Sequence, residues 1–156
     1  MLDEIAGWDV PNAAAAVVAA DGTVVATHGD TTRPFALASI TKIVTGWTAM
    51  IAVEEGSVAL DDAGGPDGAT LRHLLAHAAG YGFDGDQVLS PPGRKRIYSN
   101  TGFEVAAGMI STACGFSFAE YLTAAVLEPL HMTGSQLDGS PAHGLTATVD
   151  DLVRLL

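Results

Sequence analysis

Ser39-Ile40-Thr41-Lys42 stands at the head of an apolar segment with helical spacing. Ile40, Ile43, Val44, Trp47, Met50 and Ile51 recur every three or four residues, and Gly56 is placed to close the helix at its C-terminus. Positions i and i+3 of a helix share a face, so a Ser39 hydroxyl in the first turn meets the Lys42 amine. The helix N-terminus favours negative charge developing on that oxygen. An acyl-transfer nucleophile needs such a base one helical turn away. The simpler alternative makes Ser39 a helix N-cap and Lys42 a solvated side chain. With eight Ser and two Lys in the chain, chance supplies only about 0.1 S-x-x-K matches, which makes this one informative.

A second element adds weight. Tyr98-Ser99-Asn100 follows a Pro91-Pro92-Gly93 turn, and three Tyr with two Asn give a chance expectation for Y-x-N of about 0.04. S-x-x-K followed by S-D-N is a signature of penicillin-recognising serine enzymes, and here Tyr98 stands where that version has Ser.

The order S-I-T-K, then R-H-L-L-A-H-A-A-G-Y (Arg72 to Tyr81), then P-P-G-R-K-R-I-Y-S-N-T-G-F (Pro91 to Phe103), then L-E-P-L-H-M-T-G (Leu127 to Gly134) resembles the class C type of β-lactamase-like serine hydrolases. That group includes penicillin-binding proteins of the D-alanyl-D-alanine carboxypeptidase type and certain esterases. The resemblance runs from about Ala13 to the last residue, and the Tyr98 segment is its most specific part. It implies an α/β, β-lactamase-like fold: a partial antiparallel sheet with packed helices plus a mostly helical subdomain. It also implies that Ser39 is acylated, that Lys42 and Tyr98 share the proton work, and that Asn100 orients the substrate's amide or the Lys42 amine. No cofactor or metal is expected.

The chemistry is arguable without the resemblance. A serine hydroxyl is a weak nucleophile and needs an adjacent base. Lysine serves only where its surroundings favour the neutral amine, and tyrosine only where they favour the phenolate, which a nearby cation does. Two such groups side by side titrate as a pair, so the sequence leaves open which of them takes the proton.

Composition bounds the rest. Over 156 residues, 48% apolar and 16% charged residues are ample for one packed domain, and a formal charge of −11 argues against nucleic acid or an anionic membrane surface as partner. The expected partner is a small-molecule substrate. Arg94, Lys95 and Arg96 sit just before Tyr98, where they raise the local potential or simply occupy an exposed turn. Cys114, the only cysteine, reads as core. The start lacks a basic then apolar leader and no apolar run reaches membrane-spanning length, so a cytoplasmic location is the default, with a mature secreted form left open.

Along the chain, Leu2 to Trp8 reads as helix. Ala13 to Ala20 and Thr23 to His28 flank Asp21-Gly22 as two strands of a hairpin, although the alanine run alone favours helix. A short helix is expected over Thr70 to His77, turn-rich connections over Gly64 to Gly68 and Gly80 to Pro92, and a helix pair over Thr101 to Cys114 and Ser117 to Val126 around Gly115. Thr148 with Asp151 caps a final helix. His73 and His77 lie i, i+4, but no H-E-x-x-H glutamate or third ligand accompanies them, so both read as structural.

His131-Met132-Thr133-Gly134 is rejected as the family's third motif, a strand reading K-T-G or H-x-G, because it directly follows Leu127-Glu128-Pro129-Leu130 and matches the family's helix-ending turn. His143-Gly144 is set aside as leading into a capped helix. In the family that motif's strand supplies one of two oxyanion donors, the other being the nucleophile's own N–H. The expectation is therefore a single domain over residues 1–156 that lacks the C-terminal sheet strands, its hairpin without neighbours and prone to pair with a second copy or a separate C-terminal segment. Two functions stand: a serine hydrolase acting through an acyl-enzyme on a β-lactam, D-amino-acid peptide or small ester, and a noncatalytic remnant that keeps a ligand-binding cleft.

Overall fold

The computed structural model describes residues 2–156. After a 3₁₀ turn over Asp3–Gly7, where a regular helix was expected, Ala15–Val18 (β1) and Val24–His28 (β2) pair antiparallel with Ala15 opposite His28. Asp21-Gly22 makes the turn as its chemistry dictates: Gly22 has φ +83 and the Thr23 N–H donates to Asp21 Oδ1 at 3.0 Å. Cross-strand pairing overrides the helical propensity of the alanine run. The hairpin is a two-stranded sheet, and Val24 and Val25 on β2 remain exposed.

Three short strands escape the sequence reading: Phe35–Ala36 (β3), Gln136–Leu137 (β4) and Leu145–Ala147 (β5), antiparallel in the order β3-β5-β4. At two or three residues each, they are too short to show a period of two. One correction concerns His143-Gly144, which leads into β5 and not directly into the last helix. This small sheet clamps the chain on either side of Ser39: the Leu37 N–H donates to the Leu145 carbonyl at 2.9 Å and the Leu145 N–H to Thr41 Oγ1 at 3.1 Å.

The helix expected after Ser39 is Thr41–Glu54 (α1), ending at Gly56 with φ +77. Its orientation differs from what the apolar pattern suggests. Val44, Thr45, Thr48, Ala49 and Ala52 are buried, whereas Ile43, Trp47 and Met50 are exposed. Residues are apolar nearly all round this helix, so periodicity alone does not choose its inner face. Asn100–Cys114 (α3) packs against α1.

Leu71–Leu75 (α2) is shorter than expected and starts at a capping box made by Thr70 and His73. α3 starts at Ser99, whose Oγ accepts from the Gly102 N–H, and stops at Gly115 with φ +76. Phe118–Leu122 (α4) opens on a Ser117–Glu120 capping box and runs into a π-type turn over Thr123–Leu127. Val149–Val153 (α5) is capped by Thr148, as expected. The core collects Val44, Leu71, Leu74, Ile110, Leu122, Val126, Met132 and Leu145 between these elements, and Cys114 packs half-buried against it. Among the described residues no single helix is long and apolar enough to cross a membrane.

Gly80 turns the chain back toward Ser90 with φ +102, and a Cβ there would lie 2.0 Å from the Ser90 carbonyl oxygen. Gly56 also has positive φ, but open space surrounds it. Gly80→Ala should therefore combine left-handed strain with a backbone collision and lose well over ~1–3 kcal/mol, whereas Gly56→Ala loses about 1 kcal/mol. Urea midpoints of the two variants measure this; equal losses would show that the close approach at Gly80 is not felt.

Candidate active site

Ser39 lies in a 3₁₀ turn, Ala38–Ile40, just ahead of α1 and exposed to solvent. Ala38 before it has φ +46, a left-handed conformation that is costly for a residue with a side chain. The Ser39 hydroxyl caps nothing: no side-chain bond closes the α1 N-terminus. Its Oγ instead accepts from Lys42 Nζ at 3.2 Å, so the simple N-cap reading of the pair is not what the fold builds.

Lys42 is 5% exposed. Besides Ser39, its Nζ donates to Asn100 Oδ1 at 2.6 Å and to the Ala142 carbonyl at 2.9 Å. Three acceptors are the full complement for an ammonium. The same nitrogen lies 4.8 Å from the centroid of the Tyr98 ring.

Tyr98 sits in the extended segment before α3, its ring 4.5 Å from that of His77 and stacked at 6.1 Å on Phe83. Interaction with the Ser39 hydroxyl, the largest effect, holds the phenol below its ordinary range; burial opposes it, and the Lys42 amine and the Arg96 charge add to the lowering. Of the basic run, Arg94, Lys95 and Arg96 are all exposed, and Arg96 acts on the site through its charge alone.

Asn100 is the first residue of α3 and is 6% exposed. Its side-chain amide is polarised from both sides: Oδ1 accepts from Lys42, and Nδ2 donates to Asp84 Oδ1 at 2.8 Å. The Asn100 N–H donates to the Phe83 carbonyl at 2.7 Å. Ser39, Lys42, Tyr98 and Asn100, four residues picked out by sequence, thus meet at one point.

The fold adds groups that sequence reading missed as site residues. Asp84 carried no signal beyond lying in a glycine-rich loop. The Ala142 carbonyl is main chain and invisible to any motif; its loop is set by the Ala142 N–H donating to Ser140 Oγ, which in turn donates to Glu104 Oε1 at 2.6 Å. The two histidines have structural partners, as expected: His73 Nδ1 accepts from the Thr70 N–H, and His77 Nδ1 accepts from the Ser99 N–H. No group of three or more His, Cys, Asp or Glu side chains suited to a metal occurs among the described residues. His131 to Gly134 forms a turn, with His131 at φ +54 and the Gly134 N–H donating to the buried Asp151 carboxylate, consistent with its rejection as a strand motif.

Compared with known families, residues 4–156 match the model of the beta-lactamase family. The chain belongs to that family. Among solved structures similar to this beta-lactamase-family chain is that of a beta-lactamase (Mb2281c) from Mycobacterium bovis, 50% identical, with a TM-score of 0.96 over 99% of this chain and 57% of that one. The octameric penicillin-binding protein homologue from Pyrococcus abyssi, 23% identical with a TM-score of 0.80 over 99% of this chain and 53% of that one, shares the fold. Protein flp of Staphylococcus aureus (strain NCTC 8325 / PS 47) is 26% identical over a match covering 65% of this chain and 28% of that protein. The chain thus spans little more than half of its structural relatives and under a third of that curated one.

Proposed function

We propose that this chain carries the nucleophile half of a serine hydrolase that acts through an acyl-enzyme at Ser39 on a β-lactam, a D-amino-acid peptide or a small ester. The observation that carries the reading is the buried Lys42 Nζ, which reaches Ser39 Oγ and Asn100 Oδ1 together while facing the Tyr98 ring. Ser39 Oγ attacks the substrate carbonyl carbon, and its proton passes to the Tyr98 phenolate oxygen. The carbonyl π pair moves onto oxygen, toward the Ser39 N–H. Collapse of the tetrahedral species breaks the bond to the leaving nitrogen or oxygen, which takes the proton back from Tyr98. Attack by water then frees the acid and restores Ser39.

Lys42 keeps positive charge beside the phenolate and the developing oxyanion, where fixed dipoles and charges act with most effect. Asp84 holds the Asn100 amide so that its oxygen faces Lys42 and not the substrate side. The Arg94 to Arg96 turn adds positive potential that attracts a carboxylate-bearing substrate.

Incubation with a fluorophosphonate or a penicillin, followed by peptide mapping, should place one phosphonyl or acyl mass on the peptide containing Ser39. Labelling of another serine with Ser39 untouched would sink the assignment. Absence of label on any serine would favour a noncatalytic chain that keeps only the cleft.

A further inference from the structure

One residue holds both amides that flank Tyr98. The Ile97 N–H donates to the His77 carbonyl at 2.8 Å, and the Ser99 N–H donates to the His77 ring Nδ1 at 3.1 Å. Between these bonds the Tyr98 ring lies against the imidazole, tilted by 35°, and the imidazole also meets Phe103 at 5.1 Å. His77 is buried and has φ +58. Nδ1 accepts a hydrogen bond only in the neutral tautomer with its proton on Nε2. An imidazolium has no acceptor and would turn a second N–H toward that of Ser99.

We propose that His77 is a positioning residue for Tyr98: its neutral ring holds the phenol against Ser39 and Lys42, and protonating that ring releases it. The proposal rests on Ser39 being the nucleophile. It assigns to His77 one proton uptake in the acid limb of Ser39 acylation, beside protonation of the Tyr98 phenolate itself. The charged and titratable groups facing the ring are Lys42 from α1 and Arg96 and Tyr98 from the segment before α3. Burial first, then the positive charges of Arg96 and Lys42, hold His77 below its ordinary value of 6.5. The native state therefore prefers the neutral ring. The stability this contributes is complete above 6.5 and is lost as pH falls toward the lowered native value.

The test is the rate of Ser39 phosphonylation against pH in the parent, His77→Asn and His77→Ala. Asparagine places an oxygen where Nδ1 lies, tolerates positive φ and does not titrate. The parent should show an acid limb below 6.5. His77→Asn should lower the slope of that limb from two protons to the one taken up by the Tyr98 phenolate and stay within about tenfold of the parent at neutral pH, while His77→Ala should be about 10²-fold slower throughout, as expected for a misplaced group. An unchanged acid limb in His77→Asn overturns the proposal, as does equal slowing of both variants.

Ring ¹⁵N spectra of the parent give a reading independent of catalysis and of variant folding. The Ser99 amide signal should move with the His77 titration, and a Ser99 signal indifferent to it overturns the proposal. If Ser39 takes no label at any pH, the hydrolase reading fails, and the spectra alone decide whether His77 holds the Tyr98 segment.

Discussion

Ser39→Ala should abolish phosphonyl and penicilloyl labelling outright while leaving the fold intact. Ser39 is exposed in its 3₁₀ turn, and its hydroxyl makes no backbone cap. The loss is one of three bonds around Lys42 Nζ, the longest at 3.2 Å, and the Asn100 and Ala142 acceptors remain. A surface substitution of this kind changes stability within about 0.5 kcal/mol. The melting temperature should therefore match the parent's even as the label disappears. Residual labelling at the parent's rate would place the nucleophile elsewhere. A variant that loses label and also unfolds would mean that the turn, strained at Ala38, depends on the hydroxyl.

Tyr98→Phe and Lys42→Ala should each slow labelling of Ser39 by about 10²–10⁴, the first as the loss of a positioned proton-transfer group and the second as the loss of the fixed charge that favours the phenolate and the developing oxyanion. That corresponds to roughly 3–5 kcal/mol of barrier. The two differ in what else they disturb. Lys42 is buried, so its removal strips a donor from Asn100 Oδ1 and from the Ala142 carbonyl, a loss of about 1–3 kcal/mol for each group left unsatisfied. Tyr98 is 39% exposed and Tyr98→Phe keeps the ring that lies tilted against His77 and stacks on Phe83, so that variant should melt with the parent. Comparing label kinetics with thermal melts separates the effects. Parent-like labelling in Lys42→Ala would reduce the lysine to a structural tie between α1, α3 and the Ala142 loop.

The S-x-x-K and Y-x-N patterns led to four residues that the fold brings together, because each pattern is a local statement about chemistry at fixed spacing. Turn and cap positions were legible for the same reason. Asp21-Gly22, Gly115 and Thr148 each satisfy or bend their own neighbouring backbone, and each is found where that chemistry places it. The last turn of α2, the two- and three-residue strands, and the outward-facing Ile43, Trp47 and Met50 were not legible. A helix apolar on every side carries no phase, and a two-residue strand carries no period.

Residues close in sequence thus determined the family, the candidate nucleophile and the candidate proton-transfer groups. The tertiary structure decided how those groups are held. Lys42 meets Asn100 across 58 residues and the Ala142 carbonyl across 100, Asn100 takes its orientation from Asp84, and Tyr98 takes its place from His77. These contacts depend on main-chain carbonyls and on helices meeting in space. No spacing rule within one segment encodes them, because their geometry exists only once the core between α1, α2 and α3 has closed.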